Sequence, residues 1–64
     1  MDYRTEALLR MRTLPAMGQV ALLMDNEFQA GLDALDPDLP CYVEDRAIQA
    51  CVFYGLLWKI ERAG

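Results

Sequence analysis

Asp33, Asp36 and Asp38 stand three and two residues apart, the spacing at which carboxylates could gather around a hard cation such as calcium. The stretch lacks the glycine that turns a calcium-binding loop, so no metal is expected there. The two thiols, Cys41 and Cys51, are the other candidates for chemistry. Cys41 lies close to the start of an expected helix, a position that lowers a thiol pKa, whereas Cys51 sits in an apolar stretch and is expected to be an inert core thiol. They cannot bridge if they share one helix, because ten residues of helix rise about 15 Å. With no histidine and no serine, neither a nucleophilic triad nor a structural zinc site can be assembled in the usual way. The four glycines form no phosphate-cradling motif, and a 64-residue chain has little room for a cleft around its carboxylates. The expectation is a protein that is not an enzyme, with no catalytic, cofactor-binding or metal-binding residues.

Charge narrows the partners. The net charge is −4, which speaks against nonspecific nucleic-acid binding. From Asp25 to Asp45 the chain carries Asp25, Glu27, Asp33, Asp36, Asp38, Glu44 and Asp45 with no basic residue among them. A solvated surface with helix-capping aspartates accounts for this run. Its functional reading is an acidic face, represented by Asp33, Asp36 and Asp38, that docks on a protein with a basic surface.

The elements that must carry these residues read as helices. Asp2 can cap a short first helix over 2–13, with Tyr3, Ala7, Met11 and Leu14 on one face and Leu9 off it. Leu14-Pro15 ends it. A second helix is expected over 15–35, because Met17, Ala21, Met24, Phe28, Gly31 and Leu35 alternate four and three apart, a heptad seam that Val20 and Leu32 widen. Leu22 and Leu23 then face away from the seam. A competing reading splits this helix at Asp25-Asn26, since both residues are good caps. Asp36-Pro37-Asp38-Leu39-Pro40 is the clearest loop. The third helix is expected over 40–62, with Glu44 and Asp45 near its positive end and Lys59 and Arg62 near its negative end.

The whole is therefore expected to be a single all-α domain, 1–64: a short N-terminal helix followed by a long antiparallel helical hairpin. The third helix is apolar on nearly every side between Ala47 and Ile60, broken only by Gln49 and Lys59. Its strip of small residues, Ala47, Cys51 and Gly55, is expected to lie under Phe28 and Met24 of the second helix. The side bearing Val52, Phe53, Leu56, Leu57 and Ile60 is then left uncovered, which predicts a homodimer through that face. A domain this small gains from self-association, because a chain of its length buries only about 60% of its unfolded surface. The apolar run is too short to span a membrane, for which about 20 residues are needed.

Function follows from what remains. The expectation is a small cytoplasmic adaptor, inhibitor or chaperone-like regulator, of bacterial or phage origin given its Leu, Ala and Arg content, that acts by binding another protein. Tyr3, Leu9, Leu22 and Leu23 are candidate contacts for that partner, as residues the hairpin does not need. The alternative is a small dimeric DNA-binding regulator using Arg4, Arg10 and Arg12 of the first helix. No export signal is visible at the N-terminus, and no membrane association is expected.

Overall fold

The computed structural model describes residues 2–35 and 43–64, apart from the side chain of Val43. The described residues are all-helical: α1 (Tyr3–Met11), α2 (Ala16–Leu23), α3 (Asn26–Ala34) and α4 (Val43–Ala63). The long α4 is the organising element, and each of the three short helices packs on it.

Each boundary has a local cause. Asp2 is extended, and its carboxylate accepts hydrogen bonds from the Thr5 amide at 2.8 Å and the Thr5 hydroxyl at 3.0 Å, satisfying a donor that helix geometry leaves open at the start of α1. Pro15 stands at the start of α2, where its missing N–H costs nothing. The Gln19 side chain turns back and donates to the Leu14 carbonyl at 2.8 Å.

The expected continuous helix over 15–35 is not formed. The chain breaks at Asp25, as in the competing reading. Asp25 is extended, with ψ 118°, and its carboxylate accepts from the Phe28 amide at 2.9 Å to cap α3. Gln29 donates to the Leu23 carbonyl at 3.1 Å, so the break is hydrogen-bonded from both sides. Good local caps therefore outweigh a sustained seam, because a helix stop costs little when its open groups find partners nearby.

The break re-aims the side chains. Phe28 and Leu32 of α3, with Leu35 at its C-cap, join Leu22 of α2, Ala7 and Met11 of α1, and Phe53, Leu56 and Ile60 of α4 in one core. Arg4 donates to the Leu32 carbonyl at 2.8 Å and ties α1 to the end of α3. The Tyr3 ring lies 5.1 Å from that of Phe53.

Gly31 marks where α3 meets α4. A β-carbon there would stand 2.9 Å from Cδ2 and 3.4 Å from Cγ of the buried Leu56. Gly31→Ala gains about 1 kcal/mol of helix propensity and meets an overpacking cost of about 1–3 kcal/mol. A net loss of about 1 kcal/mol in urea unfolding is expected, recovered when Leu56→Val is combined with it. A stabilised Gly31→Ala would show that the two helices are further apart.

Candidate protein-binding surface

The side of α4 that faces solvent is not the one expected. Phe53, Leu56 and Ile60 are buried within the chain, with Val52 and Leu57 half-buried against the same core. The three short helices cover the bulky side of α4. They can do so because the stop at Asp25 lets Leu22 and the α3 residues point together at it. Left outside is the opposite side, where Ala47, Ile48, Cys51, Tyr54, Gly55 and Trp58 are all exposed. Cys51 is a free, exposed thiol rather than a core one. The small-residue strip lies in the open, and a β-carbon on Gly55 would meet nothing within 4 Å.

The outer side of α2 is a second exposed apolar face. Met17, Val20 and Met24, expected inside, are 86%, 56% and 79% exposed, while Ile48, Tyr54 and Trp58 of α4 are 61%, 68% and 56% exposed. Values this high for six large apolar side chains are unusual in a chain this small: three lie along α2 or at its end, and three along the outside of α4. Between the helices runs a cleft of about 340 Å³, with Ala21, Leu22 and Trp58 on its walls and Asp25, Lys59 and Arg62 around it. The Arg62 guanidinium lies 4.6 Å from the centre of the Trp58 ring, a cation–π contact that holds the indole at the mouth.

The other expected contacts divide. Leu9 and Leu23 are exposed, Tyr3 is at the margin with its ring on Phe53, and Leu22 belongs to the core. Leu22 departs from expectation for the same reason as the α4 face: a straight 15–35 helix turns it outward, and the shorter α2 turns it in. Asp33 is exposed on α3. Asp36, Asp38 and Cys41 lie outside the described residues. Among the described residues, no three side chains of the metal-ligating types come together. Two of the arginines offered for DNA contact are engaged within the chain, Arg4 with the Leu32 carbonyl and Arg10 with Glu6 at 3.3 Å.

Two acids of the long acidic run have a structural task. Lys59, the only lysine of the chain, reaches Asp25 at 3.0 Å and Glu27 at 2.7 Å, fastening α4 to the α2–α3 break. Hydrogen bonding to the Phe28 amide, and then to Lys59, holds the Asp25 carboxyl below its ordinary pKa of 3.8. Hydrogen bonds to Glu27 and Asp25 hold the Lys59 ammonium above its ordinary 10.5. A lowered acid stabilises the fold above its unfolded pKa and loses that contribution as pH falls through the folded one. A raised lysine contributes fully below its unfolded pKa and loses the contribution as pH rises through the folded one. Stability from this cluster is therefore flat across neutral pH and falls at both extremes. Asp25→Asn keeps a capping oxygen but no charge, so its stability by urea unfolding should fall less than that of the parent between neutral pH and about pH 3. Equal acid slopes would remove Asp25 from the account.

Of the exposed residues that sequence reasoning missed, chiefly Ile48, Tyr54, Trp58, Met17 and Met24, two had a usable signal, Ile48 and Trp58. Glu44, Ile48, Cys51, Gly55, Trp58 and Arg62 are spaced alternately four and three apart, a seam as regular as the one read into 15–35. Among the described residues, no helix is long and apolar enough to cross a membrane. Comparison with protein-family models, with curated proteins and with solved structures found no match for this chain.

Proposed function

We propose that this chain is a non-enzymatic binding protein that associates with itself and with another protein through the apolar surface of α2 and α4. The observation that carries the reading is exposure: Met17, Val20 and Met24 at α2, and Ile48, Tyr54 and Trp58 on α4, are all more than half exposed. A fold with a buried core has no internal use for six such side chains in solvent, and removing them from water is the main driving force for protein association. The two exposed methionines suit a surface that adapts to its target, since an unbranched thioether repacks at little cost. Aromatic side chains such as Trp58 and Tyr54 are the usual energetic anchors of an interface. The role is that of a cytoplasmic adaptor, inhibitor or chaperone-like regulator, and the net charge of −4 favours a target with a basic surface.

The test uses the chain as bait beside a Met17→Glu/Met24→Glu variant, both verified as folded by circular dichroism. A protein retained by the parent and lost on the variant is the expected result. Retention of the same proteins by both, or of none by either, would count against the reading. Sedimentation of the chain alone across a wide concentration range should show a reversible dimer.

A further inference from the structure

We propose that α4 pairs with α4 of a second copy in antiparallel orientation, about a two-fold axis that crosses the exposed side of α4 at the level of residue 53. This rests on the reading that the chain self-associates, and adds to it the face, the direction and the register.

The seam Glu44, Ile48, Cys51, Gly55, Trp58, Arg62 advances by four, three, four, three and four residues. That mean spacing of 3.5 is what two supercoiled helices need to stay in contact, and all six residues are exposed. The chemistry along it is complementary to itself when reversed. Inverting the seam about its midpoint sets Glu44 opposite the partner's Arg62, Ile48 opposite the partner's Trp58, and Cys51 opposite the partner's Gly55. Each layer occurs twice, as two-fold symmetry requires.

The alternative directions fit worse. In a parallel pair Glu44 would face Glu44 and Arg62 would face Arg62, placing like charges together at both ends. Two tryptophans would crowd one layer, and two glycines would leave a gap at another. The antiparallel pair puts the small residues together at its centre, where the open space at Gly55 lets the backbones approach, and the large ones at flanking layers. It also sets each positive helix end against a negative one.

The area is consistent with a reversible dimer. Glu44 to Arg62 spans about 27 Å of a helix roughly 10–12 Å across. Pairing two such strips covers about 300 Å² of each helix, roughly 600 Å² in total, a small contact of the kind that gives a weak, reversible dimer. Met17, Val20 and Met24 on α2 remain available to the target protein.

Disulfide trapping reads the direction directly. One protein carries Cys41→Ser and so presents only Cys51. The other carries Cys41→Ser, Cys51→Ser and Gly55→Cys, with a mass tag. In the proposed register residue 51 meets position 55 at the same level, within disulfide reach, whereas two copies of Cys51 are staggered by about 6 Å along the axis and also separated by the width of the pair. Under mild oxidation the mixture should give a tagged–untagged dimer several-fold above either like-with-like product, and denaturant should abolish it. Like-with-like crosslinking of each protein alone would overturn the antiparallel direction. A dimer in sedimentation with no crosslink in any mixture would overturn the use of α4 while leaving self-association standing. A chain that sediments as a monomer at every concentration would overturn self-association itself. A second measurement does not depend on cysteine: Glu44→Arg and Arg62→Glu should each weaken the dimer about tenfold, and mixing the two variants should restore it as a heterodimer. Failure of the mixture to recover would count against the register.

Discussion

Phe28→Ala should leave the chain largely unfolded in water at room temperature. The ring is fully buried at the first turn of α3 and, with Leu35, is one of the two largest side chains that solvent does not reach. It has no polar group that could be resatisfied and no surface position to which it could retreat, so truncation removes its transfer free energy and leaves a cavity. Losses of this kind run to about 3–5 kcal/mol. A 64-residue domain has a total stability of roughly 3–10 kcal/mol, so the substitution takes most of it. The substitution keeps the backbone amide that donates to Asp25, so the loss comes from packing and not from the cap. Far-UV circular dichroism should show a large loss of helical signal, and heating should give no cooperative transition. Phe28→Leu, which keeps most of the volume, should fold with a lowered midpoint. A Phe28→Ala protein that melts within a few degrees of the parent would show that α3 does not close the core.

The residue types made the helical class legible. Asp2 and Pro15 act where their chemistry requires, the first helix was placed within two residues at each end, and Tyr3, Ala7 and Met11 share the face that packs inward. What could not be read was which side of each apolar helix is the inner one. In α4 the hydrophobic residues run nearly all the way round, so periodicity along that helix does not choose between the Phe53 side and the Trp58 side. The choice is made by its neighbours, and the neighbours depend on one hydrogen bond. With Asp25 inside a continuous helix, Met17, Met24 and Phe28 share a face. With Asp25 as a cap, Phe28 parts from the methionines, which are left in solvent, and Leu22 turns in. The uncovered surface of α4 was foreseen and its identity inverted. The acidic run was legible only in part: Asp25 caps a helix as its type suggests, but Asp25 and Glu27 also serve Lys59 across the fold, a contact between residues 34 and 32 positions apart that no local pattern reports.

Leu22 and Leu23 are the sharpest place to test that inversion, because they are neighbours of one chemical type whose expected costs differ several-fold. Leu22 is 4% exposed and belongs to the core, while Leu23 is 48% exposed on the outer side of α2. Leu22→Ala removes a buried side chain at the point where α2 meets α4, beside the cleft that Trp58 walls, and should cost about 2–5 kcal/mol. Leu23→Ala gives up little buried surface and gains slightly in helix propensity, so a change within about 0.5 kcal/mol is expected. Urea unfolding at low protein concentration, where self-association does not add to stability, separates the two values. Equal costs, or a larger one for Leu23, would restore the continuous helix over 15–35. In that case the exposed methionines would return to the core, and the surface proposed for binding would lose its α2 half. The predicted asymmetry therefore tests the fold and the interface together, through two leucines that a sequence pattern alone treats as equivalent.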